Sequence, residues 1–444
     1  MTENIKSEIP PHPPRSKGGP RGGVALLWDE SFLWGLMAYR ALKSCGLPFD
    51  LIRAEDIKNG ALNKYKMLFV PGGWASNKIK ALEETGVMAI REFVSDGGSY
   101  LGFCGGAGLA TTGKDGIGLL NIKRRPTKER VPSFSGRIEL NVNDHPLWND
   151  RNASSVMRNE LKEKNSSLIT HHSSRIFHAW WPSQFIVEDK NIKILATYGD
   201  ALPDAFSSDL YVGDVGSDSR WAELEKVYQI NLNPNRLKNE PAVIEGRYGT
   251  GNVVLSLVHF DTPEDVNGQK VLVNLWKYLA GEQNSAHDRK HAIPEEKTCE
   301  LSRFHAFELF TMCSDLIALG ERNFLWFWRN SMLLQWRRGV RGLEHNTLYI
   351  MMKEIAEIKR RGVLQSAPAV DRLKDMLVPF VEKAKKLLLL ERHALQKGHI
   401  TYERCDDPEI RELRVELFSE SKSHGGKFKE LIDEVDRVLF TMLT

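Results

Sequence analysis

The sequence predicts an α/β fold with a mostly parallel sheet, followed by an α-helical C-terminal region. Between residues 24 and 103, short apolar runs alternate with helical patterns, which is typical of βαβ units and a parallel sheet. Residues 126–238 contain short strand candidates joined by long polar connections, and these indicate an antiparallel excursion at one end of the sheet. Beyond residue 299, helical periodicity dominates without a sustained heptad, which favours a helical bundle over a coiled coil.

The chain is expected to divide into two folded units, because 444 residues are too many for one ordinary hydrophobic core. Residues 1–22 are rich in proline, glycine and charge and predict a disordered tail. Residues 23–281 form the predicted α/β domain. The polar stretch 282–298 is the predicted linker, and residues 299–444 form the predicted helical domain.

Composition indicates a cytoplasmic protein without a metal or another cofactor. The chain is 41% hydrophobic and 27% charged, and it contains no apolar run long enough to span a bilayer. A net charge of +3 provides no global basic field, so nucleic acid is not an expected partner. The five cysteines form no CxxC pair, which disfavours a zinc site and indicates free thiols in a reducing compartment. The N-terminus lacks the apolar core of a secretory signal.

The predicted elements of the α/β domain follow its apolar runs and the glycines and prolines that separate them. Strands are predicted over residues 24–28, 49–52, 67–70 and 99–103, and within the excursion over 137–142, 177–187 and 192–198. A hairpin with a Gly-Thr-Gly turn is predicted over 242–260. Helices are predicted over 32–45, 76–95 and 267–279.

In the C-terminal region, residues 324–342 mix tryptophan with arginine. The favoured interpretation is an amphipathic bundle helix with its aromatic rings in the core and its arginines in water. Docking of a partner is the second interpretation. A membrane-surface helix and stacking on nucleic acid are further alternatives.

A candidate nucleophile lies in the segment Gly102-Phe103-Cys104-Gly105-Gly106, between a predicted strand and a helix. A nucleophile on such a sharp turn needs small neighbours, because strand and helix approach closely there. A helix N-terminus would lower the pKa of the Cys104 thiol, and the N–H of Gly105 could donate to an oxyanion. The alternative is a buried structural cysteine beside a glycine-rich turn.

Two further segments are expected at the same edge of the sheet. Pro71-Gly72-Gly73 ends the preceding strand, where Gly73 could supply a second backbone N–H. His259 and Asp261 end a late strand, and side-chain alternation would put both on one face if the strand continued through them. His259 could then take the thiol proton while Asp261 orients the imidazole. The alternative for His259 is a structural histidine.

The segments VPGGWASNKI, GGSYLGFCGGAGLA, NDHPLW and EGRYGTGNVVLSLVHF carry a family resemblance. Residues from about 23 to 281 resemble the class I glutamine-amidotransferase-like superfamily and, within it, the N-terminal domain of eukaryotic biotin-protein ligases. The resemblance implies a flavodoxin-like sheet with Cys104 as nucleophile, His259 as base and Asp261 as its orienting carboxylate. It also implies Gly73 and Gly105 as the oxyanion donors.

Weaker candidates lie nearby. Gly72 is a candidate accessory to Gly73, and Glu30 follows the first strand, where a related branch of the superfamily has an acid near its cysteine. The tryptophans at 148, 180 and 181 are expected in the core rather than in a substrate pocket. The histidines at 171, 172 and 178 are not favoured as metal ligands.

The sequence also departs from the pattern that it resembles. Asp261 replaces the usual glutamate, and Gly108 occupies the position where glutaminases typically carry glutamine. The chain has no recognisable synthetase domain and no Gly-Arg-Gly-Arg motif of a biotin ligase. Neither glutaminase activity nor biotin transfer is therefore expected.

The function expected from these features is a cysteine-dependent hydrolase or amidase-type enzyme acting on a small-molecule or peptide-like substrate. The first alternative is a non-catalytic ligand-binding or regulatory protein with a degenerate cleft, whose helical domain binds a protein partner or a second copy. The second alternative is a redox or carbonyl-stress protein that uses the same cysteine. The fold alone does not distinguish them.

Overall fold

The computed structural model describes residues 22–149, 175–281, 300–360, 367–398, 405–420 and 423–444. The predicted linker 282–298 lies outside these ranges, as does the predicted tail apart from Gly22. His171 and His172 also lie outside the described residues.

The strands fall mainly in residues 22–281, called here the α/β half of the chain; residues 300–444 are called the helical half. In chain order they are β1 (Val24–Leu27), β2 (Asp50–Ile52), β3 (Met67–Val70), β4 (Ser99–Phe103), β5 (Lys123–Arg124), β6 (Phe134–Val142), β7 (Ile176–Trp180), β8 (Phe185–Ile186), β9 (Lys193–Ala201), β10 (Phe206–Ser207), β11 (Leu210–Tyr211), β12 (Pro241–Tyr248), β13 (Gly251–Ser256), β14 (Trp326–Trp328) and β15 (Leu334–Trp336).

The helices alternate with strands in the first part of the chain and dominate the C-terminal half. They are α1 (Leu33–Ser44), α2 (Ala54–Lys58), α3 (Ala75–Ser95), α4 (Gly105–Leu109), α5 (Val212–Val215), α6 (Asp218–Tyr228), α7 (Val266–Ala280), α8 (Glu300–Arg322), α9 (Gly342–Arg360), α10 (Ala367–Lys397), α11 (Pro408–Phe418) and α12 (Gly426–Leu443).

Eleven of the described strands form one sheet. Five neighbours in the order β2-β1-β3-β4-β13 pair in parallel, which is the flavodoxin-like strand order. Every residue of β1, β3 and β4 is buried, as expected of strands covered on both faces. The predicted α/β fold with a mostly parallel, flavodoxin-like sheet is confirmed.

The antiparallel excursion extends the sheet beyond β13. Strands β12, β9 and β6 pair antiparallel in that order, and β7 and β10 pair with β6. The hairpin β12–β13 turns at Gly249 and Thr250, as predicted. The predicted strand 177–187 is instead two short strands, β7 and β8. Helix α6 was not predicted, because Trp221 is its one buried residue and its apolar periodicity is correspondingly weak.

The C-terminal half is helical, as predicted, but residues 324–342 do not begin with a helix. They form the hairpin β14–β15, followed by the start of α9. Aromatic residues favour strands, and the side-chain oxygen of Asn330 fixes the turn by accepting the N–H groups of Met332 and Leu333 at 2.8 and 2.9 Å. The amphipathic-helix interpretation of this segment was wrong.

The two halves share a hydrophobic cluster. It contains residues 28–37 in part and buried side chains from the helical half, including Leu348 and Val435. Arg53 on the α/β side also pairs with Asp436 of α12 at 3.0 Å. The helical half therefore packs directly against the beginning of the α/β half. No described helix is both long and apolar enough to cross a lipid bilayer.

Candidate active site

Cys104 occupies the sharp turn between β4 and α4. Its φ of 48° and ψ of −104° lie outside the regions that non-glycine residues normally adopt. The backbone N–H of Cys104 donates to the carbonyl of Ser256 at 2.8 Å, and the N–H of Gly108 donates to the carbonyl of Cys104 at 2.9 Å. Strained residues held in this way are common at functional sites.

The glycines around Cys104 permit a close approach of α4 to the strand ends. A Cβ atom at Gly105 would overlap the carbonyl oxygen of Gly73, and one at Gly106 would overlap the carbonyl oxygen of Val70. Backbone atoms cannot move aside as flexible side chains can. The predicted need for small residues at this turn therefore has a direct steric basis.

His259 and Asp261 are both fully buried, and Nδ1 of His259 lies 3.0 Å from Oδ1 of Asp261. The strand-alternation argument for this pair was wrong, because β13 ends at Ser256. A turn joins them instead, in which the N–H of Thr262 donates to the carbonyl of His259 at 3.3 Å and the Thr262 hydroxyl donates to the same oxygen at 2.9 Å.

Charge and burial set the proton affinity of His259. Burial lowers its pKa, but the charge and hydrogen bond of Asp261, together with the interaction with Cys104, outweigh this effect and raise the pKa to about 10. The imidazole is therefore expected to be protonated at neutral pH. Its other nitrogen, Nε2, is buried and makes no well-formed hydrogen bond within the described part of the chain.

The Cys104 thiol responds in the opposite direction. Burial raises its pKa, but hydrogen bonding and charge from His259, the charge of Arg124 and the N–H of Gly105 together bring it below the ordinary value. These groups account for the lowered pKa of the Cys104 thiol without the expected contribution of a helix dipole, because α4 has only five residues. The electrostatics favour a Cys104 thiolate beside a His259 imidazolium.

The candidate oxyanion donors lie at the same site. Gly73 and Gly105 line one cleft with Cys104, and the Gly105 N–H helps to lower the pKa of the Cys104 thiol. Gly73 has φ +108°, and a Cβ there would overlap the carbonyl oxygen of Glu30. Only glycine fits this position without strain.

The two accessory candidates have other contacts. A Cβ at Gly72 would lie 2.9 Å from Cγ of Trp34, so Gly72 makes room for that ring. The Glu30 carboxylate pairs with Lys429 at 2.9 Å and lines a different pocket from Cys104. Glu30 is adjacent to the site through its backbone carbonyl rather than through its acid group.

The cleft has a volume of about 2340 Å³ and is lined by both halves of the chain. Trp34, Trp180 and Trp181 form part of its wall, with Trp336 from the helical half. The rings of Trp181 and Trp336 lie 5.0 Å apart. Cys104 lies deep in the cleft but remains partly exposed, which would admit a small molecule or an extended segment.

The tryptophan predictions have mixed outcomes. Trp180 is buried and also lines the cleft, and Trp181 is a partly exposed wall residue. Trp148 packs against the rings of Phe177 and Phe260, at centroid distances of 6.2 and 6.1 Å. Core packing is therefore confirmed for Trp148 and Trp180, although Trp180 also lines the cleft together with Trp181.

Sequence reasoning missed two arginines near Cys104. Arg124 and Arg130 line the cleft, and the charges of both interact with the Cys104 thiolate. A signal was present in the basic run KRRPTKER over residues 123–130. This run begins about twenty residues after Cys104, and nothing in the sequence indicated that the chain folds back to bring the two together.

A buried lysine near the site was also missed. Lys78 is fully buried, and it donates to the backbone carbonyl of Asp29 at 3.1 Å and to the Ser31 hydroxyl. Burial lowers its pKa to about 7 despite nearby acidic groups, of which Glu30 has the largest effect. Lys78 thereby holds the turn whose Glu30 carbonyl lies against Gly73.

The described residues contain no group of three or more histidine, cysteine, aspartate or glutamate side chains arranged to hold a metal ion. His178, one of the histidines considered for a metal, instead has its Nδ1 2.7 Å from Oδ2 of Asp265. The same carboxyl group accepts the Gly268 N–H at 2.9 Å near the start of α7.

Comparison with known families gives one sequence match. The model of the family "Biotin-protein ligase, N terminal" matches residues 52–113. This range includes Gly73, Cys104 and Gly105 but not His259 or Asp261. The match supports the resemblance over the first part of the site, and it covers less than half of the chain. No curated protein gives a significant match.

Several solved structures are similar at low identity. A GMP synthase component from Thermoplasma acidophilum is 10% identical, with 59% of this chain and 96% of that chain covered and a TM-score of 0.35. A ThuA-like protein from Bacteroides uniformis is 11% identical, with 62% and 97% covered and a TM-score of 0.32. A β-galactosidase from Bacillus circulans is 14% identical, with 58% and 31% covered and a TM-score of 0.34.

The match spans only about a third of the length of the β-galactosidases. At these identities and TM-scores, the solved structures do not bear on the activity of this chain.

Proposed function

We propose that the protein is a cysteine-dependent hydrolase or amidase-type enzyme acting on a small-molecule or peptide-like substrate. The observation that carries the proposal is the strained Cys104, deep in a cleft beside the buried His259–Asp261 pair. A lowered thiol pKa and a raised imidazole pKa are what a nucleophile and its proton donor require.

In the first half-reaction, the Cys104 thiolate attacks the carbonyl carbon and forms a carbon–sulfur bond. The carbonyl electron pair moves to oxygen, where the N–H groups of Gly105 and Gly73 would stabilise the negative charge. The carbonyl re-forms as the leaving group departs, and Nε2 of the His259 imidazolium donates a proton to that amine or alcohol. A thioester and a neutral imidazole remain.

In the second half-reaction, water attacks the thioester carbon and gives one proton to Nε2 of His259. Collapse of the tetrahedral intermediate expels the Cys104 thiolate and releases a carboxylic acid. The Asp261 carboxylate keeps the imidazole oriented and stabilises its protonated form. The cycle regenerates the thiolate–imidazolium pair and needs no further reactant.

A second candidate function is ligand binding without turnover. The observations that favour it are Gly108 in place of glutamine and the participation of the helical half in the cleft wall. Such a protein could retain the cleft while using the helical half for regulation or for contact with a partner. The same experiment tests both candidates, since a binding protein does not need an activated thiol.

The test is the rate of Cys104 alkylation by iodoacetamide against pH, followed by mass spectrometry of the Cys104 peptide. In wild type we expect rapid alkylation already below the ordinary thiol pKa, because the His259 imidazolium stabilises the Cys104 thiolate. His259→Ala should lose the low-pH reactivity. Cys45 is an internal reference, because burial raises its pKa to about 11.

His178→Ala is the matched control. It removes a second histidine that pairs with a carboxylate outside the proposed machinery, and the alkylation profile should not change. Equal profiles for wild type and His259→Ala, with Cys104 reacting as an ordinary thiol, would exclude the catalytic proposal and leave ligand binding.

A further inference from the structure

Arg124 fills the space left by the missing side chain of Gly108. A Cβ atom at Gly108 would lie 2.6 Å from Cζ and 2.7 Å from one terminal nitrogen of Arg124. Gly108 is one helical turn after Cys104, whose carbonyl accepts its N–H. The guanidinium group of Arg124 therefore lies against the turn that carries the nucleophile.

Nothing in the described part of the chain neutralises Arg124 by direct contact. None of the described residues accepts a hydrogen bond from its guanidinium group, and the negative charges that act on it at a distance are the Cys104 thiolate and the exposed Asp115. The side chain of Arg124 is only partly exposed. An arginine in such a setting normally has a carboxylate or another oxyanion as its partner.

Arg130 adds a second positive charge to the same place. Its Nε donates to the carbonyl of Arg125 at 2.6 Å, which fixes the side chain. Burial, with a smaller effect from the charge of Arg124, lowers the pKa of Arg130 to about 10, although the Cys104 thiolate opposes both effects. Two like charges have thus been brought together beside the nucleophile.

We propose that Arg124 and Arg130 form a subsite for the anionic group of the substrate, a carboxylate or a phosphate next to the carbonyl that Cys104 attacks. This inference rests on the proposed function and narrows its substrate class to anionic acyl compounds. The planar fork of an arginine fits either oxyanion.

Formation of the thioester strengthens the requirement for an anion. In the resting site, the Cys104 thiolate offsets part of the charge of both arginines. Acylation removes that negative charge, so the two guanidinium groups would face an uncharged sulfur. An anionic group on the substrate restores the balance at this step and would favour anionic over neutral substrates.

The test compares two alkylating reagents of nearly equal shape, iodoacetate and iodoacetamide. The ratio of their rates at Cys104 does not depend on the thiolate fraction, because both reagents require the thiolate. A subsite for anions should raise the ratio of the iodoacetate rate to the iodoacetamide rate at Cys104 of wild type above its value for an ordinary thiol. We expect Arg124→Gln to lower it at least about tenfold, Arg130→Gln to lower it less, and Arg124→Lys to give an intermediate value.

Arg137→Gln is the matched control, since Arg137 is an exposed arginine that pairs with Asp204 at 2.8 Å and does not line the cleft. Its ratio should equal that of wild type. An unchanged ratio in Arg124→Gln would overturn the inference. Rapid, His259-dependent alkylation by iodoacetamide in that same variant would leave the proposed function intact.

A second measurement uses only the wild-type protein, in case Arg124→Gln does not fold. Acetate and inorganic phosphate are added at equal ionic strength, and alkylation by iodoacetamide is followed against a chloride reference. Stronger protection by acetate supports a carboxylate, and stronger protection by phosphate supports a phosphate group. If neither anion protects better than chloride, the inference is wrong.

Discussion

Gly108 shows how the absence of one side chain can determine what surrounds a nucleophile. Here the space in which a side chain at this position would lie holds the Arg124 guanidinium group. The nucleophile thus has a cation beside the helical turn that follows it. The proposed anionic substrate class follows from this arrangement rather than from Cys104 itself.

Gly108→Ala tests this relation without removing an arginine. Its Cβ would displace the far end of the Arg124 side chain, which is flexible, and alanine favours a helix over glycine. We expect a lower iodoacetate-to-iodoacetamide ratio and a change of less than about 1 kcal/mol in the free energy of unfolding. A ratio equal to that of wild type would mean that the position of Arg124 does not matter.

Asp261→Asn addresses the other side of the nucleophile. The amide oxygen can still accept from Nδ1, but the charge that raises the pKa of His259 is lost. His259 should therefore lose its proton at a pH lower by about one unit or more, which the NMR shifts of its ring protons against pH measure. Asp209→Asn, a cleft residue that accepts from Tyr228, should leave the pKa of His259 unchanged.

At the scale of elements, the site depends on how closely α4 packs against the end of β3. Gly106→Ala would force a methyl group into the carbonyl oxygen of Val70. Neither the Cβ atom nor the carbonyl oxygen can move without a shift of the backbone. We therefore expect a loss of about 3 kcal/mol in the free energy of unfolding, measured with urea. Gly113→Ala is the control, since no atom lies within 4 Å of its added Cβ. Equal stability of the two variants would contradict the packing argument.

The same packing explains which elements the sequence could predict. Strands β1, β3 and β4 are buried throughout, so their continuous apolar runs predicted their bounds to within a residue. Helix α6 buries only Trp221, and the hairpin β14–β15 owes its turn to hydrogen bonds of Asn330. Neither leaves a strong periodic signal.

The candidate site divides in the same way. Cys104, Gly73 and Gly105 were predictable, because their positions follow from strand ends and from the steric need for glycine. His259 and Asp261 were named correctly as a pair, but a turn rather than strand alternation brings them together. The proximity of Arg124 to Gly108 could not be predicted from the sequence, because it depends on the path of the folded backbone.

At the scale of the molecule, the helical half completes the cleft and is tied to the α/β half by polar contacts. Trp336 and Arg341 line the cleft, and Arg53 bridges Asp29 and Asp436 at 2.8 and 3.0 Å. Asp436 is buried in α12. These contacts couple the folding of the helical half to the wall of the candidate active site.

Asp436 should make the free energy of unfolding depend on pH. Burial raises its pKa to about 7, although the charge of Arg53 opposes this and Asp29 adds to it. Between the unfolded pKa of about 4 and the folded value, the folded protein binds more protons than the unfolded chain. The free energy of unfolding therefore falls as the pH rises through this window.

Asp436→Asn removes this contribution. The free energy of unfolding of wild type minus that of the variant should be most favourable near pH 4 and should decline by up to about 4 kcal/mol by pH 7.5. Urea unfolding at several pH values measures this difference, and Asp214→Asn, which alters an exposed carboxylate, serves as the control. A difference that stays constant with pH, or grows with it, would mean that Asp436 is ionised in the folded protein throughout and that its pair with Arg53 stabilises the contact between the two halves.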